Sequence, residues 1–266
     1  MNTRHLLMVA TLCLGQSAPL TAEEKKIDKA PLDLTALKID QSEIALPTPG
    51  EILTTLKSAK AETWKAALAA LGAPAGNTSD EASSAVLLGA AVADCFLAIE
   101  TKDATLFDDR AKSVLAAARK LGAEEPLLES GASLSKMAKD SKWSDMPQML
   151  DRLHLASIDA MRKIGDEDAE AICLASGWLR GLALYTEALG AEYTAEGTLA
   201  LRQKDLVKHL AARLGTLSES AAENESVKSL IAAFDKLPAA LPDGKEDTLT
   251  KEQVATLNTI AKGAAK

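Results

Sequence analysis

Two segments of this chain, LLGAAVADCFLAIETKD (Leu87 to Asp103) and ASGWLRGLALYTEALG (Ala175 to Gly190), carry strong helical periodicity and glycine in mid-pattern. Each glycine inside a helix costs roughly 1 kcal/mol of propensity relative to alanine, so the pattern needs a compensating contact. Aligning the segments puts Gly177 and Gly181 opposite Gly89 and Ala93, which gives both a small-xxx-small face. Small residues four apart strip bulk from one face and let two helix axes approach closely. The expected arrangement is therefore a pair of equivalent helices crossing at the centre, with Gly89, Gly177 and Gly181 as packing glycines. Asp94, Arg180 and Glu187 rule out the membrane version of this motif.

The similarity extends beyond these segments. AKSVLAAARKLG follows the first and QKDLVKHLAARLG the second, and each is succeeded by two further helical patterns. Residues 79–165 and 166–263 thus read as two pseudo-symmetric four-helix repeats. Helices are expected at about 48–72, 79–101, 104–121, 125–139, 145–164, 167–189, 192–214, 219–236 and 250–262. In TPGE, Thr48 is the N-cap, Pro49 the first helical residue and Glu51 the capping-box acid. Gly72, Gly122, Gly165, Gly190 and Gly215 read as stops. No segment alternates as a strand does. The fold class is all-α, with eight or nine helices in one bundle-like domain over 48–263.

The N-terminus reads as a secretion signal: Arg4 precedes the apolar run LLMVATLCLG, and Thr21-Ala22 stands before EEKK. Residues 1–22 are the expected leader and 23–47, charged and proline-bearing without periodicity, an extended arm or linker. Export to the periplasm follows, with no transmembrane segment after signal removal; a lipid anchor on Cys13 is the alternative. Cys95 and Cys173 fall within helical patterns and read as free buried thiols, a disulfide being the other possibility. The net charge of −8 lacks the basic footprint of a nucleic-acid or anionic-membrane binder. A small molecule or an envelope protein is the expected partner.

PTPGEI (Pro47 to Ile52), LGAAVAD (Leu88 to Asp94) and SGWLRGL (Ser176 to Leu182), in this order, resemble an uncharacterised family of exported all-helical bacterial proteins. That family carries P-S-P-x-E-I, L-G-x-Y-x-A-D and G-G-W-I-E-G-L-Y motifs. Here Ala91 and Ala183 stand where the family has Tyr, and Arg180 where it has Glu. The resemblance implies fold and location, and it supplies no mechanism.

On the second glycine-bearing helix, Trp178 and Tyr185 share the broad apolar face, while Ser176, Arg180 and Glu187 form a narrow polar stripe. The positions aligned with Arg180 and Glu187 are Val92 and Ile99, which lie on an apolar face. If that face is core in one copy, its counterpart is not fully solvated. Arg180, Glu187, Ser176, Trp178 and Tyr185 are therefore the candidate ligand-binding or polar-junction residues, and an exposed ion pair is the plain alternative. Asp94 falls on another face, near Thr101, and reads as solvated. His154 and His209 lack companions at ligand spacing, and Met137, Met146, Met149 and Met161 read as core, so no metal or cofactor is expected. With no nucleophile elbow, phosphate loop or paired-histidine motif, the leading reading is a non-catalytic periplasmic binding or interaction module. An envelope-associated scaffold and a hydrolase-type enzyme with dispersed carboxylates remain as alternatives.

Overall fold

A computed structural model describes residues 61–242 and 248–265; the leader, the arm, the Thr48 cap and the first part of the 48–72 helix lie outside the described residues. Ten α-helices and one 3-10 helix are present among them, and no strand. In chain order they are α1 (Ala61–Leu71), α2 (Glu81–Glu100), α3 (Ala104–Lys120), α4 (Glu125–Lys139), α5 (Met146–Lys163), α6 (Glu167–Ala191), the 3-10 helix (Glu196–Leu201), α7 (Lys204–Leu214), α8 (Glu219–Ala222), α9 (Glu225–Ala240) and α10 (Lys251–Ala264).

Most of these helices start where a short polar side chain meets the orphan amides of the first turn. Asp80 accepts from Ser83 N at 2.7 Å, Asp103 from Leu106 N at 2.9 Å and Asp166 from Ala169 N at 3.0 Å. Thr250 and Gln253 complete a reciprocal capping box at the start of α10. Gly72, Gly122 and Gly165 end α1, α3 and α5 in the left-handed region, at φ of 74°, 66° and 78°. Two expected stops behave differently. Gly190 lies inside α6, which runs on to Ala191, and Gly215 caps α7 with a right-handed backbone.

Helices α2 and α6 are apolar on nearly every face, and a helix of that kind belongs in the middle of a larger protein. Both do: almost all of each is buried, and their mutual contact is the most extensive in the molecule. Although α2 has the length and composition to cross a membrane, it is enclosed by the other helices. The crossing rests on glycine. A Cβ on Gly89 would sit 2.0 Å from Cys173 O and 2.3 Å from Ser176 Oγ, and one on Gly177 would sit 3.1 Å from Gly89 O. Gly181 departs from the expectation, since a Cβ there meets nothing within 4 Å among the described residues. It belongs to the same helix but not to the close approach.

Around this pair, α3, α4 and α5 pack in succession on one side, and α7, α9 and α10 on the other. The two sides are not alike: α10 lies along α6 extensively, whereas α5 touches α2 over a small area. The segments expected as single helices at 192–214 and 219–236 are each divided. In the first, the 3-10 turn is held by Tyr193, whose hydroxyl donates to Leu249 O at 2.6 Å, and by Thr198, whose hydroxyl accepts from Leu249 N at 3.0 Å. In the second, Asn224 ends the one-turn α8 and caps α9 by accepting from Ser226 N and Val227 N.

Candidate functional site

A charge in the middle of an apolar helix is costly unless the fold brings its counter-charge. Asp94, on α2, is sealed from solvent, contrary to the solvated position expected for it. Its Oδ1 accepts from Arg180 Nε at 2.8 Å, and its Oδ2 accepts from Arg180 Nη2 at 3.1 Å and from Arg110 Nε at 2.9 Å. Arg180 is itself at 0% exposure and uses its remaining reach on two carbonyls, Gly72 O at 2.6 Å and Ala265 O at 2.9 Å. The planar guanidinium suits this role, because its donors form a fixed fork. One side chain of α6 thereby ties together the end of α1, the middle of α2 and the end of α10. A carboxylate chelated by two guanidiniums and closed off from solvent offers nothing to a substrate.

A second buried carboxylate lies near the start of α6. Glu170 Oε1 accepts from Arg162 Nη2 at 2.7 Å and from Arg213 Nη1 at 3.0 Å. Burial alone would raise its carboxyl, but the two arginines outweigh that and hold it below the ordinary range.

The polar stripe read from the sequence is split between different partners. Val92 and Ile99 are core, and Arg180 is enclosed like them. Glu187 does not meet Arg180; its Oε2 accepts from Asn258 Nδ2 at 2.7 Å and Lys262 Nζ at 3.1 Å, both on α10. Ser176 lies in the glycine crossing and donates to Cys173 O at 3.1 Å. Trp178 donates to Gln203 Oε1 at 2.8 Å and packs against Phe234 with ring centroids 5.6 Å apart. Tyr185 donates to Gly197 O, and burial pushes its hydroxyl up to about 12. These five residues therefore go to five different sets of partners and are not brought together by a shared contact.

Cys95 and Cys173 are free and buried, and burial raises both thiols, that of Cys173 to about 12. His154 is buried and neutral, its imidazole lowered to about 4 by desolvation. Met146 and Met161 fill the core. Among the described residues no group of His, Cys, Asp or Glu is arranged to hold a metal ion.

Among the described residues two cavities stand out. A polar cleft of about 420 Å³ lies where α2, α6, α8 and α9 begin, among Asp80, Asp166, Asp168, Ser218 and Asn224. Its polar groups already serve one another: Asn224 Nδ2 donates to Asp80 Oδ1 at 3.1 Å, and Ser218 N donates to Asp168 at 3.2 Å. The other cavity, of about 250 Å³, is apolar and open to solvent between α3, α4 and α5. Cys95, Phe107, Leu134, Leu150 and Leu153 form its buried wall. Gly131, in the middle of α4, lines it, and a Cβ there would meet nothing within 4 Å. The sequence reading missed this glycine. Its signal was a helix-weakening residue at a position needing neither a turn nor a crossing.

No family model, curated protein or solved structure matches this chain.

Proposed function

We propose that the protein is an exported, non-catalytic helical module that binds a small molecule, and that the cavity between α3, α4 and α5 is where it does so. The carrying observation is that cavity, an apolar space of about 250 Å³ set against the buried residues of the core. Ligand sites are concave and mostly apolar with a few polar groups at the edge, and Asp108, Lys112 and Ser135 supply those. The two buried carboxylates favour a binder over an enzyme with dispersed carboxylates, because each is committed to a pair of arginines.

The leader over 1–22, the periplasmic location and the likeness to the exported helical family belong to the same proposal. So does an origin by duplication, which the meeting of Gly89 with Gly177 supports. Mass spectrometry on protein purified from its own envelope fraction tests the whole reading. The intact chain is expected to start near Glu23. The organic extract is expected to contain a compound that disappears in the pocket-filling variant Gly131→Leu. Identical extracts from the two folded proteins would defeat the binding role, and full-length chain in the cytoplasm would defeat export.

A further inference from the structure

From the size, lining and mouth of the α3–α4–α5 cavity, we infer that its ligand is a neutral, mainly apolar molecule with one uncharged polar end. This inference rests on the binding role just proposed and adds the chemical class. Size comes first. A cavity of 150 Å³ accommodates benzene, so a space of about 250 Å³ holds on the order of ten non-hydrogen atoms. That is less than an ordinary cofactor or nucleotide requires and matches a medium-length aliphatic chain or a two-ring aromatic.

The wall decides polarity. Phe107, Leu127, Leu134, Leu150 and Leu153 offer no hydrogen bond, and the Cys95 thiol is held protonated by burial and by its neighbour Asp94. Anything charged entering the depth of the cavity would give up its hydration without compensation.

The mouth decides the head group. Lys112 Nζ lies 2.9 Å from Asp108 Oδ2 and 3.6 Å from Asp109 Oδ1, so its charge is already answered by two carboxylates. An incoming carboxylate would meet those aspartates, and an incoming ammonium would have to displace Lys112. Ser135 is the neutral polar group there; its hydroxyl donates toward Asp108, which leaves its oxygen able to accept from a ligand hydroxyl. Leu128, 54% exposed at the edge, gives an apolar surface for the ligand to cover. Gly131 completes the argument. It lines the cavity, and a Cβ there would meet nothing within 4 Å, so a larger side chain at this position has room to take up part of the space.

Calorimetric titration of the full chain at pH 7 with 1-hexanol, 1-octanol, octanoate and octylamine tests the assignment. Octanol is expected to bind about 15-fold more tightly than hexanol, at roughly fourfold per methylene buried. Octanoate and octylamine are expected to bind about tenfold or more weakly than octanol, because each carries its charge to the mouth. Gly131→Leu is expected to abolish binding with unchanged helical circular dichroism, and Ala132→Leu, at the mouth, serves if that variant fails to fold.

Octanoate or octylamine equal to octanol would overturn the neutral class while leaving a binding module in place. Octanol binding undiminished by Gly131→Leu would remove the site. If no member of the series binds, yet the envelope extract carries a compound that Gly131→Leu loses, the class is wrong and the module stands. Self-association abolished by Gly131→Leu, without octanol binding, would replace the small molecule with a second copy.

Discussion

Asp94 and Glu170 stand on the two central helices, and each is held by two arginines, but they sit at different depths. Asp94 and Arg180 have no exposed side-chain surface, and only Arg110 reaches solvent, at 19%. Around Glu170, Arg213 is 26% exposed and Arg162 62%. The same chemistry thus serves two purposes. In the interior it fixes which helices meet, because no water is available to replace a lost partner. At the edge it joins α5, α6 and α7 through charges that solvent and salt already weaken.

Arg180→Met is the strongest test of this contrast. It leaves Asp94 buried with one partner and strips donors from Gly72 O and Ala265 O, and it is expected to cost about 3–5 kcal/mol in urea unfolding. A loss below about 1 kcal/mol would place the pair on the same footing as an exposed ion pair.

Acid titration compares the clusters further, once His154 is accounted for. Its folded value of about 4 lies below the ordinary 6.5, so the unfolded chain takes up the proton first. Stability is therefore full above pH 6.5 and lost as the pH falls toward 4. His154→Phe is expected to flatten that limb, by on the order of 3 kcal/mol across the window. The check is the urea midpoint as a function of pH. A limb of unchanged slope would mean that the imidazole is charged or solvated in the fold.

In that background Glu170 shows its own window. Its carboxyl is held below the ordinary 4.5, so its contribution is present above that value and lost as the pH falls through the folded one. Glu170→Gln is expected to cost about 1–3 kcal/mol at pH 7, with the gap closing in acid. A gap that stays constant down to pH 3 would show that the arginines do not hold the carboxylate. Smallest of all, Arg162→Met is expected to cost less than about 1 kcal/mol, and less still in 1 M salt. A salt-independent loss of several kcal/mol would put the Glu170 cluster in the same class as the Asp94 one.

Most of the helical framework was legible because its signals are local. Asp80, Asp103 and Asp166 cap the helices they precede, and Gly122 and Gly165 end theirs. The glycine crossing was legible in part: Gly89 and Gly177 leave no space for a side chain, and Gly181 does. What escaped depends on distant residues. Nothing near Asp94 in sequence shows that Arg180, 86 residues on, will arrive beside it. The available clue was that a lone acid among Ala90, Val92, Cys95 and Leu97 has no polar face to occupy. Glu170 stands in the acidic first turn of α6 with Glu167 and Asp168, and nothing local marks it as the one that Arg162 of α5 and Arg213 of α7 close over. Asn224 stands in a run of helix formers; its side-chain oxygen caps α9 locally, while its amide nitrogen donates to Asp80 and Ser83, more than 140 residues earlier.

The bond from Arg180 to Ala265 O spans 85 residues and has a practical side. A tag, dye or fused domain attached beyond residue 265 pulls on a carbonyl that the centre of the molecule is using. A reporter there is less an inert handle than a lever on Asp94. The turn at Ser141, between α4 and α5, is a better place for a label, since the backbone there makes its own local bonds and the side chain faces solvent.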